Sequence, residues 1–186
     1  MERGTSDKNI LDEFAVQFAT VVERHCEYII VSGFVAISSG RMRATEDIDM
    51  ILPKLSFEKF HELHRDLIKY GFVCMQSDDP KEIYDSYLTC NTNVRYTWKN
   101  RPIPEMEVKF AKDEVDDYQF KTKEKIPLTG LDLWFSSINM NIAFKEGCLK
   151  SDKDLEDARH LRIVYREKVD EQEIKRIKDM LLRVRR

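Results

Sequence analysis

Tyr28-Ile29-Ile30-Val31-Ser32-Gly33, and then Thr45-Glu46-Asp47-Ile48-Asp49-Met50-Ile51-Leu52, is the stretch on which the fold turns. An apolar run ends in a small-residue turn, and about fifteen residues later two carboxylates lead into a second apolar run. Successive residues of a strand point to opposite faces, so Asp47 and Asp49 project side by side while Ile48 points away. Adjacent like charges are unfavourable unless a cation or strong hydrogen-bond donors lie between them. Oxygen donors in that arrangement suit Mg²⁺ (or Mn²⁺), which binds through one or two carboxylates and substrate phosphates. Taken alone, Asp-x-Asp also fits a strand end with two solvated acids. The Ser32-Gly33 turn favours the metal reading, because a small-residue turn leaving a strand lets backbone N–H groups approach phosphate closely.

Working outward, residues 8–26 read as a helix with Leu11, Phe14, Phe18 and Val21 at helical spacing, and 27–32 as a buried strand. A short helix at 34–39 is closed by Gly40, and the strand 47–52 is stopped by Pro53. Ser56 caps a helix to Tyr70 that turns Phe60, Leu63, Leu67 and Ile68 inward and stops at Gly71. A strand at 72–75, a helical turn at 79–88 and a hairpin of 94–98 with 105–110 across Lys99-Asn-Arg-Pro102 follow. The charged stretch 111–125 carries no assigned element. A last strand at 131–135 precedes helices at about 137–149, 152–167 and 170–184. The fold class is α+β: a small mixed sheet in 1–136, flanked by helices, then a helical segment in 137–186 that forms one structural unit with it.

The chain has 186 residues, 42% hydrophobic and 35% charged, which suits one domain with ample core. A net charge of −3 and pI near 5.9 give no bulk signature of a nucleic-acid binder. Cys26, Cys74, Cys90 and Cys148 form no C-x-x-C pair and read as buried, reduced thiols. With no apolar leader and no apolar run near the roughly 20 residues that span a bilayer, a cytoplasmic protein without membrane contact is expected.

A phosphate cradle and a carboxylate pair at this separation resemble the signature of the nucleotidyltransferase fold, the polymerase-beta-like superfamily. The resemblance is to its small prokaryotic branch, the minimal nucleotidyltransferases and the toxins of abortive-infection systems. Their pattern of Gly-Gly or Gly-Ser, a helix, Arg-x-Thr and Asp-Ile-Asp stands here as Ser32-Gly33, Arg43-Ala-Thr45 and Asp47-Ile48-Asp49. It implies a nucleotidyltransferase core, a bound nucleoside triphosphate, Mg²⁺ and a toxin–antitoxin setting. The segment Lys150-Ser-Asp-Lys153-Asp154-Leu-Glu-Asp157 resembles the Lys…Lys-Asp-x-x-Asp motif of that branch.

Nucleotidyl transfer needs a third carboxylate so that two metal ions can flank the attacking and leaving oxygens. Glu105, Glu107 and Lys109 share one face of the strand 105–110, and Glu107 sits centrally; the alternative is a solvated edge face. Lys145 falls on the apolar ridge of Ile138, Ile142 and Leu149, where a buried cation needs an anion: the carboxylates or a nucleotide phosphate. Snorkelling toward water is the other reading. Lys153 at a helix start can reach a phosphate. Asp157 either joins the nucleotide site or, with Asp154, complements the helix dipole. Arg41 and Arg43 neutralise phosphate or form salt bridges, and Thr45 orients an Asp carboxylate or begins the strand.

His61 and His64 read as surface residues, lacking a third metal ligand. Tyr96 and Trp98, and the basic C-terminus from Arg176 to Arg186, are candidate nucleic-acid contacts, with core packing and a solvated helix face as the competing roles. No P-loop, kinase or dinucleotide motif occurs. The expected activity is metal-dependent transfer of a nucleoside monophosphate to an RNA 3′ end, a protein or a small molecule. The alternative is an inactive binding module with the same fold.

Overall fold

The apolar spacing of the first helix buries Leu11, Phe14, Phe18 and Val21 in α1 (Ile10–Val22). The structure, a computed structural model, describes residues 10–42 and 45–184. Strand β1 (Ile29–Val31) leads into α2 (Gly33–Ser38), and β2 (Asp47–Leu52) into α3 (Phe57–Lys69), capped by the Ser56 side chain on the Lys59 N–H. Strand β3 (Phe72–Cys74) is followed by the short turn α4 (Pro80–Glu82) and a π-helical turn, Ile83–Tyr87. A two-residue turn, with Asn100 at φ 65°, joins β4 (Val94–Trp98) to β5 (Arg101–Phe110). Then come α5 (Glu114–Thr122), β6 (Glu124–Lys125), β7 (Trp134–Phe135), α6 (Ile138–Phe144), α7 (Asp152–Val164) and α8 (Glu171–Val184).

Among the described residues seven strands form one mixed sheet in the order β3-β4-β5-β2-β1-β7-β6. β2 runs antiparallel to β1 and parallel to β5, which places the carboxylate strand at the centre. One face carries Ile48, Met50, Met106, Val108, Tyr96 and Ile30 into the main core with Phe14, Phe18 and Phe60 from α1 and α3. On the other face Ile29 and Ile51 form a small apolar patch with Ala111, against Phe120. Side chains of α6, α7 and α8 join the main core.

Several expectations are corrected. The stretch 111–125 contains α5, because the Asp113 side chain accepts from the N–H groups of Val115 and Asp116 and so starts a helix that its charges disguise. The strand expected at 131–135 shrinks to two residues and pairs with an edge strand, β6, that no apolar pattern announces. Strand β5 begins at Arg101, four residues before the expected start. Ile68 is 42% exposed rather than inward. His64 is buried, with Nδ1 2.8 Å from the Tyr96 hydroxyl, so it is a core residue; burial holds its pKa below the usual value. For Tyr96 and Trp98 the core-packing reading holds: Tyr96 is buried, and Trp98 packs edge-on against Phe14. Of the four free cysteines only Cys74 is buried; Cys90 is exposed.

Candidate active site

The parallel register of β2 and β5 sets Asp47 opposite Glu105 and Asp49 opposite Glu107. Residues in register share a face, so Val31, Asp49, Glu107 and Arg95 form one row across β1, β2, β5 and β4. Burial, and then the neighbouring Glu107, push the Asp49 carboxyl up to about 6; Asp47 adds to this, while the Ser32 hydroxyl and Lys109 oppose it. Glu107 is held by two neighbours: Asn93 donates to Oε1 and the Arg95 guanidinium lies 3.6 Å from Oε2. Arg95 also lies 3.5 Å from Glu105. The Thr45 hydroxyl donates to Asp47 Oδ1 at 2.6 Å.

Ser32 stands at φ 67° and ψ −135°, a region that L-residues rarely occupy. Its hydroxyl does not cap α2 but bonds Asp49, so the strained turn fixes a side chain of the site.

Lys145 is buried to 1% exposure, with Nζ 2.9 Å from Asp157 Oδ2 and 3.4 Å from Asp154 Oδ1. It opens a π-helical turn, Lys145–Leu149, that extends α6 and ends at Lys150 with φ 58°. Of the two readings of Lys145, the snorkelling one is excluded, and its anions are those of α7 rather than the Asp47–Asp49 pair. Arg41 joins this network, with Nε 3.6 Å from Asp157 Oδ1 and a contact to Glu156. The Ser39 and Tyr165 hydroxyls, 2.8 Å apart, tie α2 to the end of α7.

A polar cavity of about 200 Å³ brings together Ser32, Gly33, Thr45, Asp47, Asp49 and Lys153. A second, of about 230 Å³, lies against Asp49, Glu107 and Lys145. Asp157 lines neither and stands behind Lys145. Arg43 lies outside the described residues. Sequence reading missed Asn93, which precedes its strand without a pattern, and Arg95, whose role as a partner of Glu107 depends on the β4–β5 register.

Among the described residues no three His, Cys, Asp or Glu side chains form a ready-made metal cage. The donor chemistry of Asp47, Asp49 and Glu107 nevertheless fits a hard cation. Their carboxylates share one face of the sheet, and burial, with the neighbouring Glu107 second, raises the pKa of Asp49, a charge cost that a divalent ion offsets.

A seven-stranded mixed sheet flanked by helices is an α+β architecture that solved nucleotidyltransferases share. The antibiotic-resistance factor ANT(2'')-Ia in solution is similar at a TM-score of 0.55 and 13% identity, over 94% of this chain and 92% of that one. A crystal structure of ANT(2'')-Ia in complex with adenylyl-2''-tobramycin gives 0.53 and 16%, over 92% and 96%. An antigenic nucleotidyltransferase-like protein from Paracoccidioides brasiliensis gives 0.53 and 17%, over 94% and 88%. No protein-family profile and no curated protein sequence matches the chain. No helix among the described residues is long and apolar enough to cross a membrane.

Proposed function

We propose that the chain is a nucleotidyltransferase that moves a nucleoside monophosphate from a nucleoside triphosphate to a hydroxyl acceptor with Mg²⁺ (or Mn²⁺). The observation that carries this is the register of β2 against β5, which sets Glu107 beside Asp49, the acid that lines both cavities. The backbone of Ser32-Gly33 and the Lys153 ammonium bind the phosphates there. Asp47, Asp49 and Glu107 would hold the metal, which when bound stabilises charge on the transferring phosphoryl group. Thr45 fixes the Asp47 carboxylate, and Asn93 and Arg95 fix Glu107. Glu107 takes the proton of the acceptor hydroxyl; the acceptor oxygen attacks the α-phosphorus in line, the bond from that phosphorus to the oxygen bridging to the β-phosphate breaks and pyrophosphate leaves. Positioning and electrostatics supply most of the rate.

ANT(2'')-Ia, seen with adenylyl-2''-tobramycin, supports a transfer reaction on this fold. The Lys150-to-Asp157 motif supports a place in the small prokaryotic branch, with Lys145 pairing to its Asp154 and Asp157 and so holding the start of α7, whose Lys153 lines the polar cavity. The intact carboxylate row argues against an inactive module. In calorimetry with ATP and Mg²⁺ the wild-type chain is expected to bind, and Asp49→Asn to lose binding; pyrophosphate release should accompany transfer. Undiminished metal-dependent ATP binding in Asp47→Asn/Asp49→Asn would sink the reading.

A further inference from the structure

The two cavities share only Ser32 and Asp49, and their chemistry differs. The phosphate side is lined by hydroxyls, carboxylates and Lys153. The other combines the apolar side chains of Ile51, Met140 and Phe144 with the polar ends of Asn93, Glu107 and Asn141. A hydroxyl acceptor has to reach Glu107, so the cavity that Glu107 lines is the acceptor's side of the proposed reaction.

The charges there are already matched by neighbours. Glu107 faces Arg95, Asp116 lies 3.6 Å from Lys109, and Lys145 is held by Asp157 and Asp154. Asp49 takes the Ser32 hydroxyl and, in the proposed reaction, would be a ligand of the metal. A polycation would have to break these pairs to find a carboxylate, and a polyanion would have to break them to find a cation. The volume of about 230 Å³ is also below the roughly 300–1,000 Å³ of pockets for drug-sized ligands, which limits the occupant to one ring.

Resting on the transfer reading, we infer that this cavity is the acceptor subsite and that it takes an uncharged single-ring compound bearing hydroxyls, such as a cyclic polyol or a simple glycoside. Ring C–H faces meet Ile51, Met140 and Phe144, and ring hydroxyls donate to Glu107 and to the amide oxygens of Asn93 and Asn141, whose amide nitrogens already bond Glu107 and the Ser136 and Ser137 carbonyls.

The test uses the full chain with ATP and Mg²⁺. Binding of myo-inositol, methyl glucoside and tobramycin is followed by saturation-transfer NMR, with ATP affinity measured by calorimetry on the same samples. At least one neutral probe is expected to bind, and tobramycin not to displace it. Phe144→Trp and Leu149→Trp fill the cavity; Leu149 is 43% exposed, so the second variant leaves the core intact. Both should weaken the neutral probe about tenfold and leave ATP affinity within about twofold. Displacement by tobramycin, no signal from either neutral probe, or signal untouched by both fillings overturns the inference. So does a tenfold loss of ATP affinity in the filled variants, which would make the cavity the nucleobase's. ATP binding without neutral-probe binding sinks this inference alone; failure to bind ATP sinks the transfer reading as well.

Discussion

At the scale of single residues, Asp49 and Ser32 show how a site costs stability. The folded pKa of Asp49, about 6, lies above its ordinary value of 3.8. Between these values the folded protein binds a proton that the unfolded chain has released, so in chelator the stability contributed by this group falls as pH rises from about 4 to about 6 and is flat above. The loss amounts to about 3 kcal/mol at full ionisation. Asp49→Asn should therefore raise the metal-free midpoint by several degrees at about pH 7.5, and by almost nothing at about pH 4. Equal gains at both pH values, read by thermal unfolding, would contradict the assignment. Ser32 tests the backbone. Ser32→Gly and Ser32→Ala both lose the hydroxyl on Asp49, but only glycine is at ease at φ 67°. The Gly variant should be more stable than the Ala variant by about 1–2 kcal/mol in urea unfolding, the reverse of their order inside helices.

At the scale of elements, Lys145 joins the π-helical end of α6 to α7 through Asp157 and Asp154. From the sequence alone, a lone cation on an apolar ridge would lose little on replacement by Met. The pair reverses that sign, because Lys145→Met takes the nearest cation from Asp157, which is fully buried. Denaturant unfolding should show a loss of about 3–5 kcal/mol, and Lys145→Met/Asp157→Leu should recover much of it. An unchanged midpoint for the single variant would refute the argument. The same contrast explains what the sequence revealed. Helices α1 and α3 and strands β2 and β4 were legible because their apolar residues keep a clear period. Helix α5 was not, since a side-chain cap and three buried residues define it, and neither was β6, which owes its pairing to β7. In the site, the adjacency of Asp47 and Asp49 is a local property of one strand and was legible. Glu107 was legible as a candidate from its central place on the acidic face of its strand, but its register opposite Asp49, and the grip of Asn93 and Arg95 on it, come from tertiary pairing that no local pattern encodes.

At the scale of the molecule, the sheet and the C-terminal helices share one core. Ile138 and Ile142 of α6, Leu161 of α7 and Ile174, Ile177 and Leu181 of α8 belong to the same apolar cluster as Phe34, Phe135 and Val115. The Tyr118 hydroxyl of α5 donates to Glu173 of α8 at 2.9 Å, and Lys168 Nζ reaches Glu124 of β6 at 2.7 Å. Burying each of those aliphatic side chains contributes about 1.5–3 kcal/mol, so together the six are comparable with the whole stability of an ordinary domain, about 5–15 kcal/mol. A chain ended after Ser136 would expose the patch they cover, along with the second cavity, whose Met140, Asn141 and Lys145 all come from the missing part. The full chain is expected to unfold in one cooperative transition, with near- and far-ultraviolet circular dichroism tracing the same curve. The 1–136 fragment is expected to give no cooperative transition and no metal-dependent ATP binding. A fragment that melts sharply would show that the sheet carries its own core, and one that also binds ATP with Mg²⁺ would show that the phosphate site is complete without α7 and Lys153.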